Sequence, residues 1–290
     1  MKRALLLMLL IMAVTLFAAA GQKKNQPSQP APTPTPLPGT KAPPQAQTQE
    51  EFKAYQDTAQ LTDPAALEAA ADSFADKFKT SGLRYLLYYR AMFAYQGQNN
   101  AEKAIEMGQK VLALNPDEPS TLAMVAEMIS ERTRETDLDR DERLNEAQQD
   151  AEKSLVKVET DMVVPVTTTP AQLDQNRRMI RSTAYSALGN IELTKKNYPE
   201  AEKSFKLSID TIPENPDGVT VLRYAIALDQ QKKYAEALPA ANRALQLAPA
   251  GSPQAGMAKQ ERDRLAKLTG APAAAPGTPA TAAPQTPSSK

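Results

Sequence analysis

The residues best placed to do chemistry are five in a row, Asp137-Leu138-Asp139-Arg140-Asp141. Alternate aspartates put carboxylates on one side of a tight loop, as in the first half of a helix-loop-helix calcium site. The pattern then fails where such a loop needs Gly, at Glu142, and where it needs a bidentate Glu, at Gln148. The reading that remains is a solvated, charged loop whose aspartates cap the next helix. A second candidate is the basic cluster Arg177, Arg178 and Arg181, which would suit a phosphate or an acidic peptide. Asp174 and Glu192 lie close by and balance it, which favours a solvated helix face. A third is aromatic: Tyr85, Tyr88, Tyr89, Phe93 and Tyr95 fall in or near one helix.

Other chemistry is curtailed by what the chain lacks. It has no Cys, His or Trp. Without Cys there are no disulfides, thiol nucleophiles or thiolate metal sites. Without His the usual general base near neutral pH and the commonest metal ligand are missing. Carboxylates, Lys and Tyr remain, but no nucleophile–base pair, phosphate loop or metal set stands out. The expectation is a protein that is not an enzyme and carries no cofactor. Lys plus Arg and Asp plus Glu number 34 each, so the net charge is zero, which is not the basic footprint of a nucleic-acid binder.

Both ends have compositions of their own. Met1-Lys2-Arg3 and the apolar run from Ala4 lead to Ala18-Ala19-Ala20, a small-x-small cleavage pattern before Gly21. Residues 1–20 therefore read as an export signal. A retained anchor is the alternative, although a run of this length is at the short limit for a bilayer. Residues 21–48 are Pro-, Gln- and Thr-rich and read as a disordered linker, and 269–290 read as a disordered Ala/Pro/Thr-rich tail, because neither can bury enough apolar surface to offset its ordering entropy. The expected location is outside the cytoplasm, in a periplasm, cell envelope or medium. Membrane contact is expected only through a retained N-terminal segment.

Between these ends, 49–268 read as one helical domain rich in Ala, Leu, Glu, Gln and Lys. Three 32-residue segments superimpose, Tyr85 to Pro116, Ser182 to Pro213 and Gly218 to Pro249. Twelve residues before each terminal Pro stands Ala104, Ala201 or Ala237, followed by Gly108, Phe205 or Ala241 and then Val111, Ser208 or Ala244. Small residues at such points let two helices approach closely, and Pro213 and Pro249 stop the second helix. Leu122, Val125, Ala126 and Ile129 with Ala147, Ala151, Leu155 and Val158 give a degenerate fourth hairpin. Its register needs about nine extra residues around Arg132 to Asp141, and Asp161 to Thr169 is a second interruption. Thr169-Pro170 reads as an N-cap with Pro at the first helical position, opening a long helix. A divergent opening hairpin, with Leu67, Ala70, Phe74 and Phe78 as its stripe, and a closing helix from Ser252-Pro253 to about Leu268 bracket the array.

These segments resemble the tetratricopeptide repeat family, most closely at Tyr185, Leu188-Gly189, Tyr198, Ala201, Phe205 and Pro213. The resemblance implies an all-α, antiparallel helix-hairpin repeat solenoid and a function as an exported scaffold that binds a protein or peptide segment on its concave face. It places Tyr88 and Tyr95 in the core. Along the groove it places Tyr89 and Phe93, Glu127 and Ser130, Ser186 and Asn190, and Leu222, Ile226 and Asp229. Asn190 matches an Asn that such proteins use on a peptide backbone. The Lys/Arg set that clamps a peptide carboxylate in some members is absent. The competing function is a structural component of the cell envelope acting by self-association.

Overall fold

The computed structural model describes residues 37–270. The export signal, residues 21–36 of the linker and residues 271–290 of the tail lie outside the described residues. Within them, eleven α-helices follow one another as antiparallel hairpins in a solenoid. The opening pair is α1 (Gln49–Asp57) and α2 (Pro64–Lys77), followed by α3 (Arg84–Gly97) with α4 (Ala101–Leu114) and α5 (Pro119–Arg132) with α6 (Arg140–Lys157). Then come α7 (Pro170–Thr194) with α8 (Tyr198–Thr211), α9 (Gly218–Gln230) with α10 (Tyr234–Leu247), and α11 (Pro253–Thr269).

Helix starts are written in short polar-Pro signals. Asp63, Glu118, Thr169 and Ser252 each precede a Pro and accept backbone N–H groups of the first turn. Pro costs nothing there because its missing N–H would have no partner in the helix. At Thr169 the cap is reciprocal, with Gln172 reaching back to the Thr169 N–H, and α7 runs for 25 residues.

The repeat register is repeated in the backbone. Asn99, Lys196 and Lys232 hold positive φ of 58°, 62° and 62°, each two residues before the second helix of its hairpin. A left-handed residue at the same place in three hairpins gives one turn, used three times. Every aligned position twelve, eight and five residues before the terminal Pro is buried: Ala104, Gly108, Val111; Ala201, Phe205, Ser208; Ala237, Ala241, Ala244. The phase read from the sequence is therefore the packing phase. In the opening hairpin the stripe shifts by one, since Ala71 is buried and Ala70 only half-buried.

One expectation is corrected. Residues 37–48, assigned to a disordered linker, form a strap packed on the body. Thr40–Lys41 (β1) pairs in parallel with Met162–Val163 (β2), inside the second interruption of the array. Leu37 packs on the cluster of Val158, Met162, Val164 and Leu173. Arg177 Nη2 donates to the carbonyls of Pro38 (3.0 Å), Gly39 (3.3 Å) and Glu159 (3.2 Å), and Nε donates to that of Val158 (3.2 Å). Lys41 forms an ion pair with Asp161. Backbone groups that a free linker would leave to water are thus taken up by a helix and a loop more than a hundred residues away.

Candidate functional site

The first helices of the hairpins define the face on which the expected groove residues fall. Among first helices α5 packs closely on α7, α9 touches α7 only lightly, and no second helix packs comparably on the next second helix. This packing puts α5 and α7 side by side, and α3, α5, α7 and α9 are the helices that the tetratricopeptide resemblance expects on the concave side. Arg223 of α9 donates to Glu131 of α5 at 2.7 Å, reaching over α7 along that side. Sequence reasoning missed this pair, because 92 residues separate its partners and neither stands out by type or spacing.

The structure places the expected groove residues on this face but fills much of it from within. Ser186 Oγ lies 3.1 Å from Thr220 Oγ1, so α7 and α9 share a buried hydroxyl pair. Asn190 Nδ2 lies 3.5 Å from Ser130 Oγ, itself bonded to the Glu127 carbonyl at 2.9 Å, while the buried Asn190 Oδ1 has no partner among the described residues. Leu222 is core. Asp229 is buried and pairs at 2.5 Å with Arg264 of α11, which also pairs with Glu261 at 3.0 Å. The expectation that these four line an open groove is corrected: Ser186, Asn190, Leu222 and Asp229 join one hairpin to the next. The Ser186–Thr220 pair leaves neither buried hydroxyl unmet, an effect of about 1–3 kcal/mol if one partner is removed.

The remaining four keep accessible surface. Tyr89 and Phe93, one turn apart on α3, form an edge-to-face pair with centroids 4.7 Å apart. The Tyr89 hydroxyl lies 3.0 Å from Ser120 Oγ of α5. Burial, helped by the nearby Glu118 carboxylate, holds that hydroxyl far above the usual phenol range, so it stays protonated. Glu127 and Ile226 are half-buried on α5 and α9. Tyr88 and Tyr95 are core residues whose hydroxyls donate to Asp72 (2.8 Å) and Glu68 (2.5 Å). Glu118, the N-cap of α5, is buried against this aromatic helix, and burial pushes its carboxyl up despite hydrogen bonds from the Ser120 and Thr121 amides.

The two charged clusters have structural uses. Arg177 fastens the strap, Arg181 pairs with Glu159, and Arg178 pairs with Asp174 (3.3 Å) and Glu214 (2.9 Å). In the aspartate run, Asp137 accepts the Arg134 N–H at 2.8 Å, Asp139 sits at the N-cap of α6 without a side-chain cap bond, and Asp141 pairs with Arg140 at 3.2 Å. Among the described residues no group of three or more His, Cys, Asp or Glu converges as a metal would require. No described helix is long and apolar enough to cross a membrane.

Phased turns, phased burial and sequential hairpins decide the fold. The chain is a helical repeat protein. No family model matches it, and no curated protein does. Among solved structures it is similar to an assembly chaperone of RpL4 (Acl4, residues 1–338), at 11% identity over 76% of this chain and 98% of that one, with a TM-score of 0.39. A likeness that distant carries no argument about partner or activity, and the repeat architecture rests on the features above.

Proposed function

We propose that this chain is a tetratricopeptide-type scaffold, not an enzyme, that binds an extended or helical segment of a protein partner on its concave face. The observation that carries the reading is the row of first helices, where internal pairs bury Ser186, Asn190 and Asp229 while Tyr89, Phe93, Glu127 and Ile226 keep accessible surface. A floor locked before binding leaves the partner's ordering as the main entropic cost. An aromatic pair at its edge is the kind of anchor that dominates interface energies. The signal-like N-terminus supports placing the protein outside the cytoplasm, in an envelope or periplasm.

The test is affinity capture from the envelope fraction with wild type and with Phe93→Ala/Ile226→Glu. Both side chains are half-buried, so the double variant is expected to keep its helical circular dichroism and lose its partners. A folded variant that recovers the same partners in the same yield contradicts the reading.

A further inference from the structure

The α5–α6 interruption builds a second site, at the rim of the concave face one turn along α5 from Glu127. The loop from Thr133 to Asp139 is held at both ends. Thr133 Oγ1 donates to the Ile129 carbonyl at 2.8 Å, and Arg140 Nη2 donates to the carbonyl of Thr194, at the end of α7, at 3.2 Å. Glu135 pairs with Lys196 in the α7–α8 turn at 3.1 Å. So anchored, the loop walls off a hollow of about 630 Å³ against the start of α4, the end of α5 and the first turn of α6. That volume lies within the range of small ligand-binding clefts.

The charges lining it are unequally satisfied. Its three carboxylates are engaged: Glu102 by Arg132 at 2.8 Å, Glu131 by Arg223 at 2.7 Å, and Asp137 by the Arg134 amide at 2.8 Å. Two guanidiniums that line the same hollow, Arg134 and Arg143, have no acceptor among the described residues. A guanidinium offers five N–H donors in a planar fork suited to carboxylates. Ile105 on the wall is half-buried, and Leu138, next to Asp137 in the loop, is fully exposed at 106%. An exposed Leu stabilises nothing in the free chain, and its neighbour in the loop, Asp137, lines the hollow together with the two unpaired cations.

We propose that this hollow binds an acidic peptide segment, with two carboxylates received by Arg134 and Arg143 and an adjoining aliphatic side chain packed on Leu138 and Ile105. The open, mainly charged lining suits a peptide passing through better than an enclosed small molecule. The site also accounts for the break in register, since a regular repeat turn would leave no loop to form its wall. It does not depend on the concave-face reading.

The test uses the full chain and a fluorescein-labelled decapeptide of Asp and Glu with one central Leu, followed by fluorescence anisotropy. Binding is expected to weaken several-fold between about 50 and 500 mM salt, as exposed ion pairs are screened. Arg134→Glu/Arg143→Glu should weaken it by about tenfold or more, Arg134→Gln/Arg143→Gln by somewhat less, and Leu138→Ser by a few-fold. Phe93→Ala and the remote Lys203→Glu should leave it unchanged. The proposal is overturned by any of the following results. These are no measurable binding, equal binding of the Asn/Gln version of the peptide, equal loss in Lys203→Glu, or retention of affinity in both folded arginine double variants. Displacement of the peptide by citrate at matched charge also overturns it, because the site would then be a simple anion exchanger.

Discussion

Gly189 of α7 lies so close to the Phe205 ring that a Cβ there would sit 2.4 Å from Cδ1 and 2.5 Å from Cε1. Phe205 is fully buried and cannot swing away, so the closest approach of the α7–α8 hairpin depends on the missing methyl. Gly189→Ala should gain up to about 1 kcal/mol of helix propensity and lose about 1–3 kcal/mol to overpacking, a net fall in Tm of a few degrees by thermal melt. Gly97, with nothing within 4 Å of an added Cβ, is the control, and Gly97→Ala should not destabilise. Gly189 was legible as a repeat position, but that Phe205 is the ring against it was not, because the spacing does not say which side chain fills the gap. Asp150 was not legible, because nothing in its neighbours foretells its burial. Burial first and Glu146 second push its carboxyl up to about 6 from an ordinary 3.8. A raised acid is most favourable to folding when protonated, below its unfolded pKa, and that contribution is lost as pH rises through about 6. Asp150→Asn should therefore raise Tm at pH 7.5 and bring no gain below pH 4. Since Asp150 is only half-buried, the gain should be about 1 kcal/mol rather than the full value of two pKa units.

At the scale of elements, helices were readable and the strap was not. Helix periodicity, polar-Pro starts and Pro stops mark α2 to α11 along the chain. The strap has two paired residues, too few to show alternation, inside a composition that reads as linker. What orders it is distant: Arg177 supplies four hydrogen bonds to carbonyls, and Gly39 at φ 70° lets the chain pass where a Cβ would lie 2.0 Å from the Glu159 oxygen. Arg177 reads in sequence as a member of a basic cluster, yet its acceptors are backbone atoms that no side-chain pattern reveals. Arg177→Ala should expose residues 37–48 to rapid amide exchange and proteolytic nicking while α7 to α11 keep their protection, as hydrogen-exchange mass spectrometry would show. Unchanged protection of the strap in that variant would contradict its assignment. Acid should act similarly. The hydrogen bond from Lys41 holds Asp161 down at about 2, so its contribution is present above the ordinary aspartate range and is lost as pH falls through about 2.

At the scale of the whole molecule, a solenoid was legible because three hairpins repeat one register, and its inner face was expected from the tetratricopeptide resemblance. How far that face is closed was not legible. Ser130, Ser186, Asn190 and Asp229 look like ligand-seeking polar residues in one dimension. In three dimensions, Ser186 and Asp229 are paired across the array and Asn190 contacts Ser130. The outcome is a stiff inner surface with a short accessible strip, flanked on one rim by the charged hollow of the α5–α6 loop. The central claim, that this strip receives a partner segment, is tested most directly by site-specific photo-crosslinking in cells. A photoreactive side chain would replace Phe93, Ile226 or, on second helix α8, the partly exposed Leu207. Adducts to a common partner from positions 93 and 226, with none from 207, are the expected result. Equal labelling from 207, or adducts from 93 and 226 only to further copies of this chain, would contradict it.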